Sequence, residues 1–245
     1  MIENLIEKIE QLPPIPNVIN QLQDLYFYDD YNTSDIEAVI EQDPNLVANI
    51  LKIANSPYYG LPREFLHIRQ AVAYFGLEQL IEFAMATVVD QLLKLDLSFY
   101  GIGAEEFMKM ARAKAKLAKS LAQDKADRFI ASSTAFLSDI SKVLISNYAL
   151  EQGLSPIDPS IALNEMDEVE RDLLGFDTIE VSLKMFDYWQ FDRAIVELLD
   201  SFKQKDTPRK EALFFARELL DAKGEMVPEK LQTYPQFEPI LKSLR

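Results

Sequence analysis

The chain of 245 residues carries a formal net charge of −15, is 48 % hydrophobic and has no cysteine. Disulfide and thiolate chemistry are therefore excluded, and so is a disordered chain. Duplex-DNA binders gain affinity by displacing counterions with Lys and Arg, so this charge argues against a nucleic-acid partner, and against an anionic membrane surface as well.

In chain order, Ile2, Leu5, Ile6 and Ile9 space a first helix. No basic region precedes an apolar core there, so the start does not read as a signal peptide. "LPPIP" (12–16) stops the helix, because each Pro removes a donor and restrains the residue before it. Val18, Ile19, Leu22, Leu25 and Tyr26 mark a second helix. "SDIE" (34–37) reads as a capping box, with Ser34 as the cap and Glu37 reaching back. Asp43 caps the next helix and Pro44 opens it. "NSPYYGLP" (55–62) is a turn segment, and a short helix ends or bends at Gly76. The long apolar run from Leu77 to Leu95 is broken by Glu78, Glu82 and Asp90, so it does not read as a membrane span. A cytoplasmic protein with no membrane partner is the expectation.

"KLDLSFYGIG" (94–103) reads as a connector. It divides an N-terminal helical lobe, 1–98, from a C-terminal lobe, 99–245, expected to form one unit together. The second lobe reads as helices at about 104–124, 128–149, 165–174, 178–189, 191–204, 208–223 and 237–243. Strand-like alternation is hard to find. The expected fold class is all-α, a multi-helix bundle.

Chemistry is sparse. His67 is the one histidine, and zinc catalysis usually needs several imidazoles, or one with carboxylates. There is no G-x-S-x-G elbow and no Gly-rich phosphate loop, so no catalytic residue and no cofactor is expected. Glu165, Asp167, Glu168 and Asp172 in "NEMDEVERD" read as a solvated helix face without calcium-loop spacing. Lys109, Arg112, Lys116 and Lys119 fall on one helical face, opposite an apolar arc of Met110, Ala113, Leu117 and Leu121. That basic stripe reads as solvent-facing, with docking of an acidic partner as the alternative.

"LPPIPNVINQL", "IEAVIEQDPNLVANILKIANSPYYGLP" and "IRQAVAYFGLEQL" resemble the HDOD domain, the output-domain relative of the HD phosphohydrolases. A fainter likeness continues to about Ala222. The resemblance implies an HD-like bundle whose C-terminal lobe is degenerate. HD hydrolases hold metal with histidines and aspartates, and their His-Asp pair typically lies in a run like "LLHDIGK". The matching run here is "FLSDISK". Ser138 stands where the histidine would be, Asp139 keeps the aspartate, Ser141 replaces the glycine and Lys142 is retained. An inward histidine of the preceding helix matches Met110, and another, after "LLGFD", matches Thr178. A thioether and hydroxyls replace imidazole poorly on such ions, so the resemblance implies a lost metal site and no hydrolase activity.

The expected degenerate pocket is therefore Met110, Ser138, Asp139, Lys142 and Thr178. The expected interaction surface is Asp43, Asn55, Ser56, Tyr58 and Tyr59; helix capping accounts for Asp43. For the polar-aromatic tetrad, side-chain hydrogen bonds tying the turn to its neighbours are the competing explanation. The functional expectation is a non-catalytic bacterial signalling protein acting through contacts with another signalling or regulatory protein. A nucleotide or small-molecule sensor using the degenerate pocket, and a residual metal-dependent phosphohydrolase on Asp139, are the alternatives.

Overall fold

The computed structural model describes residues 2–12, 17–28, 31–92 and 96–243. All regular elements among them are helical, and the one extended pairing is an isolated antiparallel bridge between Leu220 and Met226. The all-α expectation is met. The chain divides into two compact units, Pro13–Leu92 and a second made of Met1–Leu12 with Leu93–Arg245. The first helix thus groups with the C-terminal residues, where a boundary at 98 would leave it in the N-terminal lobe.

In the 13–92 unit, α2 (Asn17–Tyr28), α3 (Thr33–Ile40) and α4 (Pro44–Ala54) pack on α5 (Ile68–Leu92). Ile19, Leu22, Ile36, Ile40, Leu46, Ile50 and Leu80 are buried between them. Asp43 caps α4 by accepting from the Asn45 and Leu46 amides, as read. The cap of α3 lies two residues earlier than "SDIE" suggests. Asn32 Oδ1 accepts from the Ser34 and Asp35 amides, and Asp35 accepts from the Asn32 amide at 2.8 Å. Asn is as good a cap as Ser, and Asp at the third position completes the reciprocal pair. Within α5 the backbone breaks at Gly76, at φ 74° and ψ 174°, a conformation that side chains resist.

In the other unit, α7 (Lys125–Leu137) is flanked by α6 (Ala104–Leu121), α11 (Arg193–Ser201) and α12 (Pro208–Glu218). α8 (Lys142–Glu151) and α10 (Thr178–Tyr188) carry α1 (Ile2–Glu10), and α9 (Leu163–Leu174) packs on α10 and α12. The single helix expected at 128–149 is two helices, joined at 138–141 by a tightened turn. Its amides bond three residues back, as in Ile140 to Leu137 and Lys142 to Asp139. The apolar pattern runs through the joint without a break, so periodicity does not reveal it. After α12, α13 (Pro228–Thr233) and α14 (Glu238–Ser243) close the described chain.

Two helical stretches, Ile68–Val89 and Ala126–Glu151, are long and apolar enough to cross a membrane by composition. The protein itself buries 61 % of the first window and all of the second. Two of the buried hydroxyls in α7 bond locally: Thr134 Oγ1 donates to the Ile130 carbonyl at 2.7 Å and Ser132 Oγ to that of Phe129 at 3.1 Å.

Candidate functional site

The joint between α7 and α8 places Ser138, Asp139, Ser141 and Lys142 in the interior, where all four are fully buried. A carboxylate and an ammonium cannot remain charged there unless they are paired. Asp139 Oδ2 accepts from Lys114 Nζ on α6 and from Arg217 Nη1 on α12. Ser138 Oγ lies 3.0 Å from the same oxygen and accepts from Lys114 Nζ at 2.8 Å and Arg217 Nη1 at 3.2 Å. The other oxygen, Oδ1, faces Lys142 Nζ at 3.5 Å.

The network continues on both sides. Lys142 Nζ donates to Glu170 Oε1 at 2.6 Å and to Thr178 Oγ1 at 2.8 Å, and lies 4.4 Å from the centre of the Tyr100 ring. Glu170 also accepts from the Thr178 amide and from Thr178 Oγ1 at 2.7 Å. Arg217 Nη2 donates to Asp167 Oδ1 at 2.6 Å, and Arg217 Nε to Asn164 Oδ1 at 3.3 Å. Ser141 Oγ donates to the Thr178 carbonyl at 2.8 Å, and Ser182 Oγ to that of Ser138 at 2.9 Å. Three basic side chains, Lys114, Lys142 and Arg217, thus stand among three carboxyl groups, Asp139, Asp167 and Glu170, all fully buried. Lys203 touches the edge of the network, 3.8 Å from Asp167 Oδ2, with its side chain 46 % exposed.

Burial and pairing compete at each charged group. For Asp139, burial is the largest influence and would raise its pKa; the fields of Arg217, Lys114 and Lys142 outweigh it and hold the carboxyl well below the usual range. Burial lowers Lys114 to about 8, against the attraction of Asp139. Burial would also lower Arg217, but Asp139 and Asp167 raise it above its ordinary value. Asp167 goes the other way. Burial, reinforced by Glu170 and Asp139, raises it to about 7 in spite of Arg217 and Lys142.

Of the residues expected in the pocket, Ser138, Asp139, Lys142 and Thr178 are brought together. Met110 is buried on the same face of α6, one turn before Lys114, with its backbone against Gly224. The residue of α6 that reaches Asp139 is Lys114. The acidic stretch of α9 is not one solvated face: Asp167 and Glu170 are fully buried, whereas Glu168 and Asp172 are exposed. Four charged participants, Lys114, Asp167, Glu170 and Arg217, are thus not placed in the pocket by the sequence. A sequence signal existed for two of them. Lys114 falls four residues after Met110 and three before Leu117, inside the apolar arc. Arg217 falls four residues after Leu213 and three before Leu220, both buried.

The donors do not fit a metal ion. An ammonium and a guanidinium are donors only, without a lone pair to offer, and they occupy the positions facing Asp139. A divalent cation there would meet Lys114, Arg217 and Lys142 together. Among the described residues no group of three or more His, Asp or Glu side chains is arranged to hold a metal.

The residues of the expected interaction surface lie in the 13–92 unit. Asn55, at the end of α4, spends its amide on the chain: Nδ2 donates to the Phe65 carbonyl at 2.9 Å and Oδ1 accepts from the Phe65 amide at 2.8 Å. Ser56 opens a short 3-10 turn over Pro57–Tyr59. The half-buried Tyr59 ring packs edge-on to Phe75 at 5.1 Å and Phe83 at 5.3 Å. The side chain of Tyr58 lies outside what the structure describes. Asp43 is occupied as a helix cap.

Helix order, the joint at 138–141 and the buried aspartate define the class, an all-α, HD-like bundle. The family model of the HDOD domain matches residues 12–204, and the chain belongs to that family. Its backbone is similar to an HDOD domain protein of Geobacter sulfurreducens, with a TM-score of 0.63 and 19 % identity over 89 % of this chain and 78 % of that one. A protein of Marinobacter aquaeolei provisionally called a signal transduction protein gives a TM-score of 0.70 at 16 % identity, covering 96 % of this chain and 57 % of that one. A protein of Shewanella amazonensis provisionally called a phosphohydrolase gives 0.62 at 21 % identity, covering 98 % and 86 %. Likenesses this distant bear on fold alone. An uncharacterized protein of Treponema pallidum is 34 % identical over 77 residues, a match spanning 31 % of this chain and 15 % of that protein.

Proposed function

We propose that this chain is a non-catalytic regulatory HDOD protein of bacterial signalling that works through contacts with another protein. The observation that carries the reading is the neutralisation of Asp139 by Lys114, Arg217 and Lys142. Hydrolysis by an HD-type site needs a metal with an open coordination position to activate water. Here the charge that a metal would supply is built into the chain, with Lys114 and Arg217 on one carboxylate oxygen and Lys142 facing the other. The provisional name of the Marinobacter relative agrees with a signalling role, and that of the Shewanella relative supplies the alternative to be tested.

Two measurements on the full chain test it. In the first, Mn²⁺ or Mg²⁺ is added with phosphomonoester and cyclic dinucleotide substrates, and turnover is followed beside Asp139→Asn. The expected result is no turnover with either protein; metal-dependent turnover lost in Asp139→Asn overturns the non-catalytic reading. In the second, the tagged chain is recovered from a native bacterial lysate. One stoichiometric protein partner is expected, and recovery of none under any growth condition overturns the contact reading.

A further inference from the structure

The turn that Asn55 clamps presents something to solvent. Phe65 is buried, and its ring packs on Tyr74 at 5.4 Å and Phe75 at 6.0 Å. Gln70 Oε1, one turn into α5, accepts from the Leu66 amide at 2.8 Å and the His67 amide at 3.1 Å. The backbone is therefore fixed on both sides of Leu66 by side-chain hydrogen bonds from two different helices. Yet the Leu66 side chain is 71 % exposed, and Tyr74, one turn beyond Gln70, is 60 % exposed. These are the two most exposed large hydrophobic side chains among the described residues. An apolar pair held out by an ordered backbone has already lost the conformational freedom that binding would otherwise cost.

The charge around the pair differs from that of its unit. Residues 13–92 contain eleven carboxylates and three basic residues. Two of the three, Arg63 and Arg69, lie beside Leu66 in sequence with His67 between them, and all three of these side chains are exposed. Glu64 is the one acidic residue from 55 to 77. Arg69 Nε pairs with Glu37 at 3.3 Å, but the side chain stays 67 % exposed, with its remaining donors on the outside. A second copy docking by two-fold symmetry would set the same patch against itself, Arg63 and Arg69 included, and like charges would meet.

We propose that Leu66 and Tyr74, flanked by Arg63, His67 and Arg69, form a docking surface for an acidic peptide segment that presents a bulky apolar side chain. The apolar anchor covers Leu66 and the outer face of the Tyr74 ring, and flanking carboxylates meet the two guanidinium groups. The proposal rests on the protein-contact reading and names the chemistry of the partner. Asn55 and Gln70 act as positioning residues, since they hold the segment and face inward.

The test is selection of a random displayed-peptide library on the immobilised full chain, followed by fluorescence anisotropy with the enriched peptides. Leu66→Asp and Arg63→Glu/Arg69→Glu serve as variants; every changed side chain is exposed, and circular dichroism verifies their fold. The expected peptides carry Asp or Glu around Phe, Trp or Leu. Each variant is expected to weaken them at least about tenfold, and added salt to weaken them further. Peptides without acidic residues, peptides indifferent to both variants, or no enrichment overturn the proposal. So does a concentration-dependent dimer lost in Leu66→Asp, or binding to phosphatidylglycerol vesicles lost in Arg63→Glu/Arg69→Glu, because the occupant is then a second copy or a membrane. A lysate partner that Leu66→Asp still retains leaves the contact reading standing and moves the surface elsewhere.

Discussion

Arg217 and Asp139 lie 78 positions apart in sequence and meet as a fully buried ion pair, with the guanidinium reaching on to Asp167. A guanidinium sets positive charge against the aspartate, as a metal ion would, but the two charges differ in what they can do. A metal polarises water; a guanidinium only donates hydrogen bonds. The network that results is a structural element of the α6–α9–α12 region.

Because both partners are buried, removing one charge leaves the others uncompensated. Arg217→Met is expected to cost about 3–5 kcal/mol, the range for breaking a buried pair. Asp139→Asn is expected to be similarly severe, since Lys114 and Arg217 then face each other without their carboxylate. The double variant Arg217→Met/Asp139→Asn should lose clearly less than the sum. Urea denaturation of the four proteins measures this as a double-mutant cycle. Strict additivity would mean that the two groups are energetically independent.

The network also imposes a pH dependence of a definite sign. Asp167 is raised from 3.8 to about 7, so the folded protein holds this proton where the unfolded chain has released it. Its contribution to stability is greatest at low pH and falls as pH rises through that window. Asp139 is depressed, so its contribution is present above 3.8 and is lost as pH falls toward the folded value. Asp167→Asn removes the first effect. Between about pH 4.5 and about pH 7.5, its urea midpoint should fall less than that of the unsubstituted protein. Equal slopes would place the proton elsewhere.

The helices were legible because helical periodicity is a local property. Ile19 and Leu22, or Leu46 and Ile50, announce their buried faces within a turn of chain. The joint at 138–141 was not legible, because Phe136, Leu137, Ile140 and Val143 keep the apolar run continuous across it. The family resemblance named Met110, Ser138, Asp139, Lys142 and Thr178, and in the structure the last four lie in one hydrogen-bonded and charged network. It could not supply their partners. Lys114 in an apolar arc is visible as an anomaly, but which carboxylate it meets depends on how α6 packs on α7. Asp167 and Glu170 sit beside exposed Glu168 in the same acidic run, and only packing separates those buried from those wet.

Asn55 is expected to act through Phe65. Asn55→Ala removes both hydrogen bonds to the Phe65 backbone and leaves a part-buried N–H and C=O without them. A cost of about 1–3 kcal/mol follows from the desolvation of such groups. Asn55→Asp keeps the acceptor for the amide and loses the donor to the carbonyl, so it should fall between. Hydrogen exchange at Leu66 and His67 should accelerate in Asn55→Ala while exchange in α7 stays slow. Acceleration spread evenly over both regions would indicate general destabilisation and remove the positioning role.

Two glycines should answer differently to the same substitution. Gly76 has φ +74° with ψ 174°, a region essentially reserved for glycine, and nothing within 4 Å of an added Cβ, so Gly76→Ala meets only that backbone penalty, roughly 1–3 kcal/mol. Gly224 has φ +71° and also lies against α6, where an added Cβ would meet the Met110 Cα at 2.8 Å. That contact is with backbone, which cannot rotate aside, and α6 carries Lys114 one turn further on. Gly224→Ala should therefore cost clearly more than Gly76→Ala and shift Lys114 relative to Asp139. Urea midpoints rank the two, and the ¹⁵N resonance of the Lys114 ammonium, held by Asp139 and Ser138, reports the displacement. A Gly224→Ala protein as stable as Gly76→Ala, with an unmoved ammonium signal, would show that α6 and the 221–225 turn do not pack as closely as these distances state.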